Sequence, residues 1–233
     1  MNELLLILQL VGLYGAVIVF YKLFGKKGLL CWTVIATVLA NIEVLLQVDA
    51  FGMHMTLGNV LFATSFVVTD ILSELYGQSV SKQAVNIGIC TSIIFILICQ
   101  SWLIFEPNVF DFAMPSFIVI FTNTPRLIFA SFIVYMIVQR LDVWLYHKWW
   151  KFTSKIFKDE YKGLWMRNNG STLISQLLNS ILYTILAFYG IMENEVLINL
   201  IFTSYIIFIV TSIADTPVVY ICRTLKQKGL ISE

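Results

Sequence analysis

Charge is scarce in this sequence. Only 12% of its 233 residues are Asp, Glu, Lys or Arg, while 59% are apolar and 15% aromatic. Soluble domains run nearer about 25% charged and about 45–50% apolar. So little polar surface cannot cover a water-soluble globule, and a mean hydropathy of +0.85 agrees. An integral membrane protein is therefore expected. A net charge of +1 provides no basic field, so nucleic acid is not an expected partner. Paired cysteines are lacking too: Cys31, Cys90, Cys99 and Cys222 form no CxxC and cluster with no histidine, and all lie in or beside apolar stretches. There is no G-x-x-x-x-G-K-[ST], so the chain does not itself hydrolyse nucleotide through a P-loop. HExxH and GxSxG are missing as well, and no nucleophile–base pair can be assembled from spacing. No cofactor or metal is expected. The N-terminus has no basic n-region and no small-residue cleavage site, so its apolar run reads as a span rather than a cleaved signal.

Seven near-continuous apolar runs are present, at about 4–24, 29–48, 57–76, 84–105, 117–141, 171–192 and 197–222. The fifth is expected to be helical from about 125. A polar stretch over about 142–170 reads as a long basic cytoplasmic loop. With the N-terminus outside and seven spans, 14 of the 15 Lys and Arg fall on one side. That bias predicts an N-out, C-in arrangement. The expected fold is an all-α membrane bundle of six to seven helices forming a single domain over 1–233.

Arg126 is the exception to the charge rule. It follows Pro125, which suits the first position of a helix, with Asn123 or Thr124 as candidate caps. It reads either as snorkelling to headgroups or as partner to a buried carboxylate or to the solute.

An acid at the centre of a span costs about 2.5–3.5 kcal/mol, so each needs a partner, a wet cavity or a function. Four fall within the runs: Glu43, Asp70, Glu74 and Asp215. Asp70 and Glu74 are spaced i, i+4. Asp215 lies two residues before Pro217, where a lost backbone donor predicts a kink. Glu43 could pair with Arg126. The sixth run carries a polar stripe in which Thr172, Gln176, Asn179 and Tyr183 share one helical face. Such a stripe serves either interhelical hydrogen bonding or recognition of a flat heterocycle, with Trp165, Tyr183 and Phe66 as candidate stacking partners.

The segment TSFVVTDILSELYGQSVSKQAV (64–85) resembles the signature of the queuosine precursor transporter family, also called the YhhQ-type or vitamin uptake transporter family. Segments 126–148, 164–190 (with R-N-x-x-S-T-x-x-x-Q) and ADTPVVY (214–220) follow in that family's order, covering about 57–222. The resemblance implies a multi-pass inner-membrane importer of 7-cyano- or 7-aminomethyl-7-deazaguanine, with a small purine-like solute and the lipid bilayer as partners. It also implies a solitary carrier or a subunit coupled to a membrane partner and ATPases. Carried over, it points to Asp70, Glu74, Tyr76, Arg126, Arg167, Asn168, Ser171, Thr172, Gln176 and Asp215. Two positions depart from the pattern: Asn179 stands where relatives often have Asp, and Phe208 near where many have Lys. The expected binding set is thus Glu43, Asp70, Glu74, Arg126, Arg167, Asn168, Gln176, Asn179 and Asp215. The rival reading is a membrane-embedded enzyme acting on a lipid or prenyl substrate, with Asp70 and Glu74 as metal ligands. A structural subunit would explain the spans but not the buried polar cluster.

Overall fold

A computed structural model describes residues 1–122 and 125–231. Among these residues, seven helices and one short hairpin make up the chain. They are α1 (Asn2–Glu43), β1 (Gln47–Ala50), β2 (Met53–Thr56), α2 (Gly58–Tyr76), α3 (Gln78–Trp102), α4 (Met114–Thr122), α5 (Pro125–Phe157), α6 (Leu164–Phe188) and α7 (Asn194–Gln227). Among the described residues six helices are long and apolar enough to cross a membrane, including Phe129–Phe157 of α5; α4 is too short. The result is an all-α membrane bundle.

The first helix counts twice. At 42 residues it would reach about 63 Å if straight, roughly double the apolar thickness of a bilayer. Instead the backbone folds at Gly25 (φ 55°, ψ −139°), a conformation open essentially to glycine alone. The two arms then lie side by side. Phe20 and Trp32 meet edge to face at 5.3 Å, and Gln9 Nε2 donates to Glu43 Oε1 at 3.0 Å from 34 residues away. Gly28 completes the fold, since a Cβ there would sit 2.2 Å from the Phe20 carbonyl oxygen. The apolar runs 4–24 and 29–48 are these two arms, and the second stops at Glu43 rather than 48.

Beyond Glu43 the chain forms a hairpin that the run pattern does not suggest. Phe51 and Gly52 both take positive φ, as a two-residue turn between antiparallel strands requires. Asn2 Nδ2 donates to the Asp49 carbonyl at 2.9 Å, tying the hairpin to the start of α1.

The polar stretch 142–170 is mostly helix. α5 continues to Phe157 and α6 begins at Leu164, leaving only a short connection. The reason is a preserved helical period: Val134, Val138, Asp142 and Tyr146 recur every four residues and all are buried. α5 does begin at Pro125; Asn123 and Thr124 lie outside the described residues. α7 passes through Pro217 as one continuous helix, with the Thr216 hydroxyl donating to the Ser212 carbonyl.

α2 lies at the centre, buried almost continuously from Val60 to Ser73, and packs on α1, α3, α5 and α7. α6 packs between α5 and α7. The main core joins both arms of α1 to α2 and α7 through Tyr14, Tyr21, Trp32, Val67, Ile71 and Val219.

Candidate functional site

α6 holds three acids that come from three other helices. Asn168 Nδ2 donates to Asp215 Oδ1 of α7 at 2.7 Å, and the Thr172 hydroxyl to Asp70 Oδ2 of α2 at 3.1 Å. The Ser175 hydroxyl donates to Asp142 Oδ1 of α5 at 2.7 Å. The donors stand at 168, 172 and 175, the i, i+4, i+7 spacing that puts them on one face. Only Thr172 of the expected stripe is among them; Asn168 and Ser175 are the other two, and each of the three donors reaches a different neighbouring helix. All three carboxyls are essentially out of solvent. Among the described residues none of them forms a salt bridge.

The ledger of hydrogen bonds around them does not close. Asp70 Oδ1, Asp142 Oδ2, Asn168 Oδ1, Gln176 Oε1 and Gln139 Nε2 are buried with no hydrogen-bond partner among the described residues. Buried polar atoms are ordinarily satisfied, so this group of orphans calls for a water, a retained proton or a ligand. Gln139 is itself held by the Thr69 hydroxyl, which donates to its Oε1 at 3.3 Å.

Along α2 the neighbourhood is layered at i, i+4 steps. Phe62 borders a cavity of about 40 Å³ that Asn179, Tyr183, Ser131 and Asn59 also line. Phe66, fully buried, packs edge to face on Phe62 at 5.2 Å and against Val134 and Val138. Asp70 comes one turn later, and Glu74 one turn after that. The cavity takes water but is far below the roughly 300 Å³ of ordinary small-molecule pockets. A bicyclic solute could enter only with movement of the surrounding helices.

Glu74 closes the other end. Arg167 Nε donates to its Oε2 at 2.8 Å and Nη2 to its Oε1 at 2.6 Å, with side-chain exposures of 0% and 2%. The Tyr146 hydroxyl adds a bond at 2.9 Å, and Arg223 approaches to 3.6 Å. Arg167 also donates to the Lys162 carbonyl and lies 4.3 Å over the Trp150 ring. An interfacial carboxylate reaching water is thus not what Glu74 is. It is one half of a buried, bidentate ion pair, and Arg167 is the other half.

The segment 56–222 matches the model of a protein family described as "Putative vitamin uptake transporter". The chain belongs to the vitamin uptake transporter family. It is therefore a multi-pass membrane transporter rather than an enzyme. It is 36% identical over 209 residues to a Bacillus subtilis (strain 168) protein named "Probable queuosine precursor transporter", covering 90% of this chain and 89% of that relative. No solved structure matches it.

The positions at which this transporter resembles its family do not all converge. Asp70 meets Thr172 and Asp215 meets Asn168 in the polar core, and Gln176 is buried one turn beyond Thr172 on α6. Asn179 lies at the cavity, and Phe208 packs its ring edge on Phe62 at 6.4 Å. Ser171 turns back onto the Arg167 and Asn168 carbonyls of its own helix. Tyr76 meets the Tyr21 hydroxyl at 3.2 Å and lies beneath Lys226.

Two expected members lie elsewhere. Arg126 is exposed; its Nε donates to the Leu186 carbonyl at 2.7 Å and its Nη2 to the Tyr189 carbonyl at 2.6 Å. It caps the C-terminal end of α6, where a cation complements the helix dipole. Glu43 faces Gln9, not Arg126. Glu43 also sits near the level of Gly58, whose Cβ would lie 2.8 Å from the Val44 nitrogen, and Asp70 is twelve residues or about 18 Å further along α2. Trp165 points outward at 58% exposure and stacks on nothing in the core.

Asp142, Ser175, Gln139 and Phe62 belong to the site without having been singled out by sequence. The four-residue recurrence through Val138, Asp142 and Tyr146 carried the signal for α5, and Phe62 lies one turn before Phe66.

Proposed function

We propose that this transporter imports a 7-deazaguanine precursor of queuosine, 7-cyano- or 7-aminomethyl-7-deazaguanine, across the bacterial inner membrane. The observation that carries this reading is the buried meeting of three acids with the unsatisfied amides of Asn168 and Gln176. A deazaguanine offers N1–H and a 2-amino group along one edge, which a carboxylate accepts as a pair, and an O6 that accepts from an amide. Asp70 or Asp215 takes the paired donors in this reading, and an amide nitrogen, that of Gln139, which is buried without a partner among the described residues, or that of Gln176, meets the carbonyl. Phe62, Phe66 and Tyr183 supply aromatic faces for the ring. The name of the Bacillus subtilis relative supports the same solute.

In the same proposal the Phe62 end faces outward and the Glu74 end faces the cytoplasm, as the placement of Lys and Arg favours. The solute then enters beside Asn179 and Tyr183, passes Phe66, rests at the acids and leaves when the Glu74–Arg167 pair parts. Glu43 and Arg126 serve the outer rim in this scheme rather than the binding point. Energy comes from an ion gradient or from a separate coupling membrane subunit with an ATPase pair, since the chain has no P-loop.

Expression in a strain unable to make the precursor, supplied with either base, tests the proposal through queuosine in its transfer RNA. Restored queuosine that Asp70→Asn or Asp215→Asn abolishes is the expected result. Full uptake by both variants would sink the assigned site. A proton uncoupler added to the same cells separates gradient-driven entry from ATPase-driven or passive entry.

A further inference from the structure

The three acids are not equivalent. Asn168, which holds Asp215, is joined there by Thr216, whose hydroxyl accepts from Asn168 Nδ2 at 3.3 Å. Asp70 and Asp142 are different. Each receives one hydroxyl from α6 on one oxygen, and each keeps a second oxygen with no donor among the described residues. Their two donors are neighbours on α6, with the Ser175 hydroxyl 3.0 Å from the Thr172 carbonyl, so both carboxyls face one turn of that helix. Two carboxyls close together and away from water cannot both be charged on their own: empty, they retain a proton, and a cation that joins them takes that proton's place. The described residues bring no cation to them: Arg167 is bound to Glu74, and Arg126 to the end of α6.

The orphaned atoms around the pair have one dominant polarity. Asp70 Oδ1, Asp142 Oδ2, Asn168 Oδ1 and Gln176 Oε1 are acceptors, against the single donor Gln139 Nε2. A ligand completing this set must bring positive charge and several donors together. An ammonium group does so, with three N–H bonds and no acceptor. A nitrile carries no charge and offers one weak acceptor, which would find only Gln139.

We propose that Asp70 and Asp142 form a cation subsite for the ammonium arm of the solute, so that this transporter selects an aminomethyl-bearing base over its cyano counterpart. The inference rests on the functional reading above and refines it. In that arrangement Asp215 and Asn168, seven residues before Ser175 on α6, are left to read the edge of the ring. Asp142 becomes a specificity-determining residue.

Competitive uptake tests this in cells unable to make either base. Labelled cyano base is challenged with unlabelled aminomethyl base, and the reverse. The aminomethyl form is expected to compete at roughly tenfold lower concentration or better, the scale of a charged hydrogen bond. Asp142→Asn should bring that ratio close to one, and Asp142→Glu should restore part of it. An equal or inverted ratio in the unaltered protein overturns the proposal without any variant being needed. So does an Asp142→Asn variant, present in the membrane at normal level, that weakens both bases alike. If sodium stimulates uptake of both bases equally and Asp142→Asn removes that stimulation, the subsite holds a coupling ion and the proposal fails. Uptake of neither base overturns the functional reading itself, and this inference with it.

Discussion

Arg167 grips Glu74 through two parallel hydrogen bonds of 2.6 and 2.8 Å, and neither side chain has meaningful contact with solvent. Such a pair is costly to form and more costly to break singly, because the survivor is an uncompensated buried charge. Arg167→Gln should therefore destabilise the protein by about 3–5 kcal/mol. Thermal unfolding in detergent measures this, and the swapped pair Glu74→Arg with Arg167→Glu should recover part of the loss.

The isolated acids behave in the opposite way. Asp215 is buried with an amide donor but no cation among the described residues. Asp215→Asn removes the cost of holding a carboxyl out of water while keeping its shape. The variant should unfold at the same or a higher temperature than the parent protein, yet take up little base. Unfolding and uptake measured on one preparation separate a structural role from a functional one.

Phe66 separates the cavity at Phe62 from the acids at Asp70. Phe66→Ala should cost about 3–5 kcal/mol, as a large buried aromatic is lost. It should also join the cavity to the acid cluster, making uptake less discriminating among purine-like competitors. Phe66→Leu, closer in volume, should keep most of the stability and more of the selectivity. A competition series with purine bases reads the difference.

Arg126 is expected to matter little for the solute. Arg126→Ala removes two hydrogen bonds to carbonyls at the end of α6, a loss of about 1–2 kcal/mol. Half-maximal uptake concentration should stay within about twofold of the parent value, well below the roughly tenfold scale of a charged contact. A large rise in that concentration would return Arg126 to the solute path.

The fold of α1 at Gly25 has its own test. Gly28→Ala places a methyl group against the Phe20 backbone carbonyl, which cannot move aside as a side-chain tip can. It should lower the unfolding temperature measurably, whereas Gly12→Ala, with open space around its Cβ, should not. The comparison isolates close approach from helix propensity.

Hydropathy made most of the architecture legible before any coordinates. Long apolar runs in a chain of low charge admit few structures, and all seven runs fall on the six long helices, two of them on the folded arms of α1. The hairpin at Phe51–Gly52 escaped because four-residue strands carry too little pattern to register. The extension of α5 escaped because Arg140, Lys148 and Lys151 lower its hydropathy while its helical period continues. That one misreading hid Asp142. Placed in a connection, an acid needs no explanation; on a buried helical face it needs one.

The site was legible in type but not in pairing. The cost of charge in lipid singled out Asp70, Glu74 and Asp215, and spacing exposed the stripe on α6. Neither could say which acid would be neutralised. That outcome depends on contacts such as Glu74 with Arg167, separated by 93 residues. Phe62 and Gln139 likewise acquire meaning only from what stands opposite them.

The matched family segment begins at residue 56, so α1 lies outside it, although the Bacillus subtilis relative aligns over 90% of the chain and so shares part of α1. Yet the Tyr14 hydroxyl donates to the Thr211 carbonyl at 3.0 Å, and Trp32 Nε1 to the Thr64 hydroxyl at 3.1 Å. The folded arms of α1 are thus a wall of the polar core, closing it on the flank where α2 meets α7. A chain cut back to residues 56–222 would keep Asp70, Asp142 and Asp215 but lose the wall that covers α2 and α7. The family segment and the physically complete bundle have different boundaries in this protein, and the physical one includes the first helix.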